Sequence, residues 1–148
     1  VREKIIWANH APLGCMSLQR VDLSGAMLKE ASFSFVDASQ ANLDHAYLEG
    51  ASFQHAVCSG TSFRGAQMTR ANFEDTKANL ARFDHAKLGE ANFHGAILVD
   101  ASFETAWLPK AVLGHTNASG SSFTHASLIE ADLRKAELAH VNFADADL

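Results

Sequence analysis

The sequence predicts a solenoid, one elongated domain built from short repeats, and three observations predict it. First, from Ala11 onward a five-residue unit recurs: a small residue, a polar residue, a Leu or Phe, then two free positions, as in Ala41-Asn42-Leu43, Ala71-Asn72-Phe73, Ala91-Asn92-Phe93 and Ala131-Asp132-Leu133. Second, the beat never slips. Stepping by five from Leu13 to Leu148 gives 28 units, with Leu, Phe or Met at the centre of 24 and Ala at the first position of 20. Third, a period of five matches neither the helix period nor the alternation of a flat strand. A gapless short repeat is the mark of stacked units, each burying its apolar side against its neighbours.

On these residues the chain resembles the pentapeptide-repeat family over residues 11–148. The resemblance implies an all-β fold, a right-handed four-sided parallel β-helix in which four pentapeptides make one 20-residue coil, giving about seven coils. It also implies that the centre and the residue two before it point inward while the other three face solvent. At the ~4.8 Å spacing of paired strands the rod would be roughly 30–35 Å long. The coil length can be checked against the sequence by sorting centres every twenty residues. All nine central Phe fall in two columns half a coil apart: Phe63, Phe83, Phe103, Phe123 and Phe143 in one, Phe33, Phe53, Phe73 and Phe93 in the other. A third column is Leu or Met throughout, and the fourth contains every small exception, Ala38, Cys58, Ala78 and Ala118. Large faces small across the lumen, as a narrow packed interior requires.

Taken in order, residues 1–10 precede the clean repeats, with Glu3 where a centre would stand. Ile5, Ile6, Trp7 and Ala8 are expected to cover the lower end of the core as a cap or lead-in. The chain starts at Val1 rather than Met and shows no signal-peptide pattern, so it is read as an excerpt of a longer protein. Residues 11–148 form the β-helix. Residues 130–140 would pass as helix on propensity alone, but Leu133, Leu138 and Phe143 keep the five-residue beat.

Composition excludes several classes. An apolar fraction of 47% rules out a disordered chain, and no stretch approaches the ~20 apolar residues of a membrane span. A net charge of −5 argues against a binder of nucleic-acid phosphates. Two cysteines are too few for a disulfide scaffold and suggest a reducing compartment. The expected location is cytoplasmic, or a host cell if the chain belongs to a secreted effector.

No catalytic, cofactor-binding or metal-binding residue is expected. Seven of the eight His stand at the last position of a unit. His45, His85 and His125 share a column but lie two coils apart, roughly 10 Å, too far to share a zinc ion. His94 is followed by Gly95, not another ligand. Asp84-His85 among many Ser and Thr suggests a hydrolase triad only superficially, because a solenoid without loop insertions offers no pocket to exclude water. Cys58 is expected buried and Cys15 exposed, two coils apart and unable to bridge.

Charges alternate along the outward columns: Asp44, Arg64, Asp84, Glu104 in one, and Glu30, Gly50, Arg70, Glu90, Lys110, Glu130 in another. They should pair locally rather than sum into a stripe. Some members of the resembled family imitate DNA and bind type II topoisomerases such as DNA gyrase, through a strongly negative surface. Such inhibition or protection of gyrase is the alternative function, disfavoured here by the alternation.

The informative departures are apolar residues at the polar second position. One column reads Trp7, Met27, Tyr47, Gln67, Lys87, Trp107. Trp7, Met27 and Tyr47 would stack on successive coils, either as a partner-binding strip or as a surface covered by residues 1–10 or an upstream domain. Phe35 is a second candidate contact and Trp107, beside Pro109, a third. The expected function is a non-enzymatic protein-interaction or scaffold module of a larger bacterial protein, an effector, adaptor or regulator. Its partner is a protein of unknown identity, with neither nucleic acid nor membrane involved. End-to-end or side-by-side pairing of two rods stays open, as does a role as a rigid spacer.

Overall fold

A computed structural model of the chain describes residues 17–148. Throughout them the residue before each centre bridges, in parallel, the residue twenty positions later, from Ser17↔Asp37 to Ser127↔Asp147 without a gap. The two residues after each centre turn the chain. Four bridges and four turns per twenty residues make a four-sided helix, with the coil length that the Phe columns predict. Residues 130–140 follow the same rule, with Val112↔Asp132 and Asn117↔Glu137 bridged. The lead-in 1–10, with Trp7, and Cys15 lie outside the described residues.

Each side is a single rung wide, and its backbone groups are shared between coils. The centre donates upward, Leu23 N–H to Asn42 O at 2.7 Å, and the bridge residue donates downward, Asn42 N–H to Val21 O at 2.9 Å. Across each corner the next unit's first residue donates to the preceding centre, as Ala26 N–H to Leu23 O at 3.0 Å. This closes a β-turn whose third residue has positive φ. Every described corner obeys: 20 non-Gly residues and six Gly, with φ between 53° and 72°. Most L-residues avoid that region, but Asn, Asp and His tolerate it better. Here lies a backbone reason for the histidines: His45, His55, His85, His115, His125 and His140 all occupy such corners.

The N–H of the residue just after a centre has no carbonyl partner in this ladder. The side chain two residues earlier takes it: Asp22 accepts from Ser24, Asn42 from Asp44, Asn72 from Glu74, Asn92 from His94 and Asn142 from Ala144, all at 3.0–3.1 Å. These are Asx-turns. The polar second position of the unit therefore serves the backbone as well as solubility.

Inside, the two Phe columns form a double ladder. Phe33, Phe53, Phe73 and Phe93 stack with centroids 4.6–4.8 Å apart, and Phe63, Phe83, Phe103 and Phe123 stack at 4.6–5.0 Å. Rings of opposite columns meet edge to face at 5.4–5.7 Å, so the six rings from Phe53 to Phe103 gain both favoured aromatic geometries. Cys58 is fully buried in the column of Ala38 and Ala78. Where Thr or Ser replaces the first-position Ala, its hydroxyl donates to a carbonyl, Thr61 to Ala38 O at 2.8 Å and Ser121 to Ala118 O at 2.7 Å, which removes the penalty of burying it. Leu133, Leu138 and Phe143, in the last coil, are only partly buried.

Burial pushes the Cys58 thiol far above the ordinary cysteine range. The folded state therefore keeps a proton that the unfolded chain releases above about pH 8.5. The corresponding stability is fully present below that pH and falls as pH rises, by up to about 1.4 kcal/mol per unit. Cys58→Ala should flatten this alkaline slope in denaturant melts, and native Cys58 should resist alkylation until the rod unfolds.

Candidate interaction face

One side of the rod carries the row Met27, Tyr47, Gln67, Lys87, Trp107, each bridged to the next. Met27 and Tyr47 are neighbours on adjacent coils, and Trp107 stands three coils above Tyr47. These three side chains are 41%, 49% and 49% exposed, in positions where the fold elsewhere places its Asx acceptors. Met27 and Tyr47 offer no acceptor to the N–H two residues on. At Trp107 the demand disappears, because the residue two on is Pro109, which has no N–H. The turn following Trp107 thus needs no cap, and the position is released to hold an indole.

That indole lies over the coil below. A Cβ added to Gly89 would sit 2.7 Å from the Trp107 ring, so only glycine lets the ring rest on the backbone there. A shallow hollow of about 380 Å³ opens between Lys87 and Trp107. Trp7, the other end of the expected strip, lies outside the described residues.

Phe35 occupies a corner, 70% exposed, and its ring stacks on His55 at 5.0 Å. Three further exposed apolar residues escaped the sequence reading: Leu80 at a corner, 61% exposed, Ile97 at a second position, 36% exposed, and Ile129 just after a centre, 45% exposed. The column Ser17, Asp37, Val57, Lys77, Ile97 contained the signal for Ile97.

Two pairs form within the charged columns, as their alternation predicts, Arg64–Asp44 at 3.5 Å and Lys110–Glu130 at 3.6 Å, whereas Asp84 is paired at 3.3 Å by Arg82, which stands outside those columns. Arg70 reaches sideways to Glu49 at 2.6 Å, and Lys29 joins the same carboxylate at 3.4 Å. Exposed pairs of this kind contribute about 0–1 kcal/mol each. Asp84 departs from the expectation of an outward, solvated carboxylate. It is only 7% exposed, covered by Arg82 and by the hydroxyl of Ser102 that donates to it.

The triad geometry is not assembled: Asp84 is taken by Ser102 and Arg82, whereas His85 Nδ1 pairs with the Thr105 hydroxyl. Among the described residues no three His, Cys, Asp or Glu side chains converge as metal ligands, and no helix is long and apolar enough to cross a membrane. The hollows beside Trp107 and around Gly114 are open to solvent. One expectation needs correction. His94 does have a histidine neighbour, the ring of His115 at 5.1 Å. It comes from the next coil, so sequence adjacency could not reveal it.

The sequence pattern of the pentapeptide repeats matches this chain in eight copies, over residues 16–44, 41–83, 79–114 and 108–145. Among solved structures the chain is similar to a trypsin-treated variant of QnrB1, a plasmid-mediated fluoroquinolone resistance protein. The TM-score is 0.66 and the identity 19%, covering 100% of this chain and 80% of that one. It is also similar to HetL, a pentapeptide repeat protein involved in heterocyst differentiation regulation from the cyanobacterium Nostoc sp. strain PCC 7120, with TM-score 0.37 and 22% identity over 95% of this chain and 84% of HetL. No curated protein matches the chain in sequence. At these identities the likeness to QnrB1 establishes a shared fold.

Proposed function

The chain belongs to the pentapeptide-repeat family and adopts its right-handed four-sided β-helix, and from that premise we propose that it is a non-enzymatic protein-interaction module of a larger bacterial protein, docking its partner on the side that bears Met27, Tyr47 and Trp107. One observation carries this reading: those half-exposed apolar side chains occupy positions where the fold's own chemistry favours Asp or Asn. The β-helix does not need their bulk. Tyr and Trp are the residue types that dominate interface energetics, and the row places them along one straight edge that an extended segment or helix of a partner can follow. Buried, unpaired Cys58 fits a reducing compartment such as the cytoplasm.

The rival reading, a DNA mimic acting on a type II topoisomerase, needs a continuous negative stripe to replace closely spaced phosphates. Arg64, Arg70, Arg82 and Lys110 interrupt the acids and neutralise them in pairs.

A photoreactive phenylalanine analogue placed at position 47, at position 107, or at Gln54 on the adjacent side tests the docking side. The proposal expects positions 47 and 107 to crosslink to the same protein in lysate of the source cell while position 54 does not. Adducts from position 54 with none from 47 or 107 would contradict it. An adduct with a second copy of the chain would make the side a homodimer contact.

A further inference from the structure

Two described glycines do not occupy positive-φ corners: Gly89 and Gly114. The backbone requires neither of them to be glycine. Gly89 has a steric reason, the Trp107 ring lying 2.7 Å from where its Cβ would be. Gly114 has none of that kind. A Cβ there would meet nothing closer than His94 Nδ1 and the Arg134 carbonyl, both at 3.5 Å, an ordinary contact. Its column reads Ser34, Gln54, Glu74, His94, Gly114, Arg134, so side chains of several sizes fit this position of the unit. Glycine at 114 therefore leaves a notch that neither the fold nor packing demands.

The notch is lined by His94, His115, Asp132, Arg134 and Lys135 around Gly114, is open to solvent on its outer side, and has a volume of about 320 Å³. That is room for several waters at ~30 Å³ each, or for a phosphate with part of its ester group. Its walls are cationic in a chain of net charge −5. The one carboxylate, Asp132, is already engaged: Arg134 donates to both of its oxygens, Nε at 2.8 Å and Nη2 at 2.7 Å. The same fork holds the Asp132 carboxyl well below the usual carboxylate range. Arg134 is fixed by this pairing yet keeps its Nη1 hydrogens, and Lys135 and the two imidazoles add further donors. A metal cation is the wrong occupant, since Lys135 lines the site and its only carboxylate is already held by Arg134.

We propose that the Gly114 notch binds the phosphate group of a small molecule, with His94, His115, Arg134 and Lys135 as donors. His94 lies below the notch and Arg134 above it in the same column. It lies on a different side from Met27, Tyr47 and Trp107 and stands whether or not that side docks a protein.

The test is a titration of the intact chain with inorganic phosphate at constant pH and ionic strength, followed by the imidazole NMR resonances of His94 and His115. Saturable shifts of both rings are expected. Gly114→Gln, which copies the Gln54 of the same column, should fill the notch and weaken binding at least roughly tenfold, and Lys135→Gln should weaken it without touching the notch floor. Melting curves report whether each variant stays folded. Shifts that grow without saturating, or phosphate binding undiminished in both folded variants, would overturn the proposal. Acetate matching phosphate in affinity would overturn the phosphate assignment.

Discussion

Phe73→Ala should lower the unfolding free energy by about 3–5 kcal/mol, the loss expected when a buried aromatic leaves a cavity that cannot collapse. Phe73 is fully buried and touches four other rings. It stacks on Phe53 and Phe93 at 4.8 Å and meets the edges of Phe63 and Phe83 at 5.6 and 5.5 Å. The walls around it cannot close inward, because each rung's spacing is set by hydrogen bonds to the coils above and below. Phe143→Ala is the internal control. That ring is only partly buried and stacks on Phe123 alone among the aromatic contacts, at 5.4 Å, so its removal should cost clearly less. Denaturant melts of both variants check the contrast. Equal losses would mean that the double ladder does not dominate the core.

The core was legible because its signal is redundant. A twenty-residue period sorts nine Phe into two columns, and no other backbone would keep Phe53 above Phe33 and edge-on to Phe63. The outward positions were only half legible. Their polarity is plain in the sequence, but the two jobs behind it are not. That Asp22 and Asn42 accept their own turn's N–H, and that His45 and His85 sit at corners with positive φ, emerges only once the backbone path is known. A hint was available in the fifth position, where Gly, His and Asp recur, residues that share tolerance of left-handed backbone. Contacts between columns were invisible for a different reason. His94 and His115 are separated by one coil plus one residue, and their meeting depends on side-chain direction. The notch beside them was equally hidden, since a glycine at an outward position reads as one more free residue. Trp107 was found as an apolar departure, yet the coincidence that frees its position, Pro109 two residues on, needs the Asx-turn to be understood.

The second large effect concerns Tyr47. If its ring serves a partner while the fold prefers an Asx acceptor there, Tyr47→Asn should separate the two roles. Asn at 47 supplies an acceptor for the Glu49 N–H, as Asn42 does for Asp44 at 3.0 Å. Stability should stay within about 1 kcal/mol of the parent or rise slightly, the net value of one exposed hydrogen bond. Partner binding should weaken by about 2 kcal/mol or more, the scale of an aromatic hot spot. The decisive measurement is a melting curve of Tyr47→Asn beside the crosslinking yield from position 107 in the same variant. An unchanged or higher melting temperature with the adduct largely lost is the expected result. A clearly lower melting temperature with the adduct retained would show that Tyr47 is part of the fold and that the partner, if it docks on this side, does so without it.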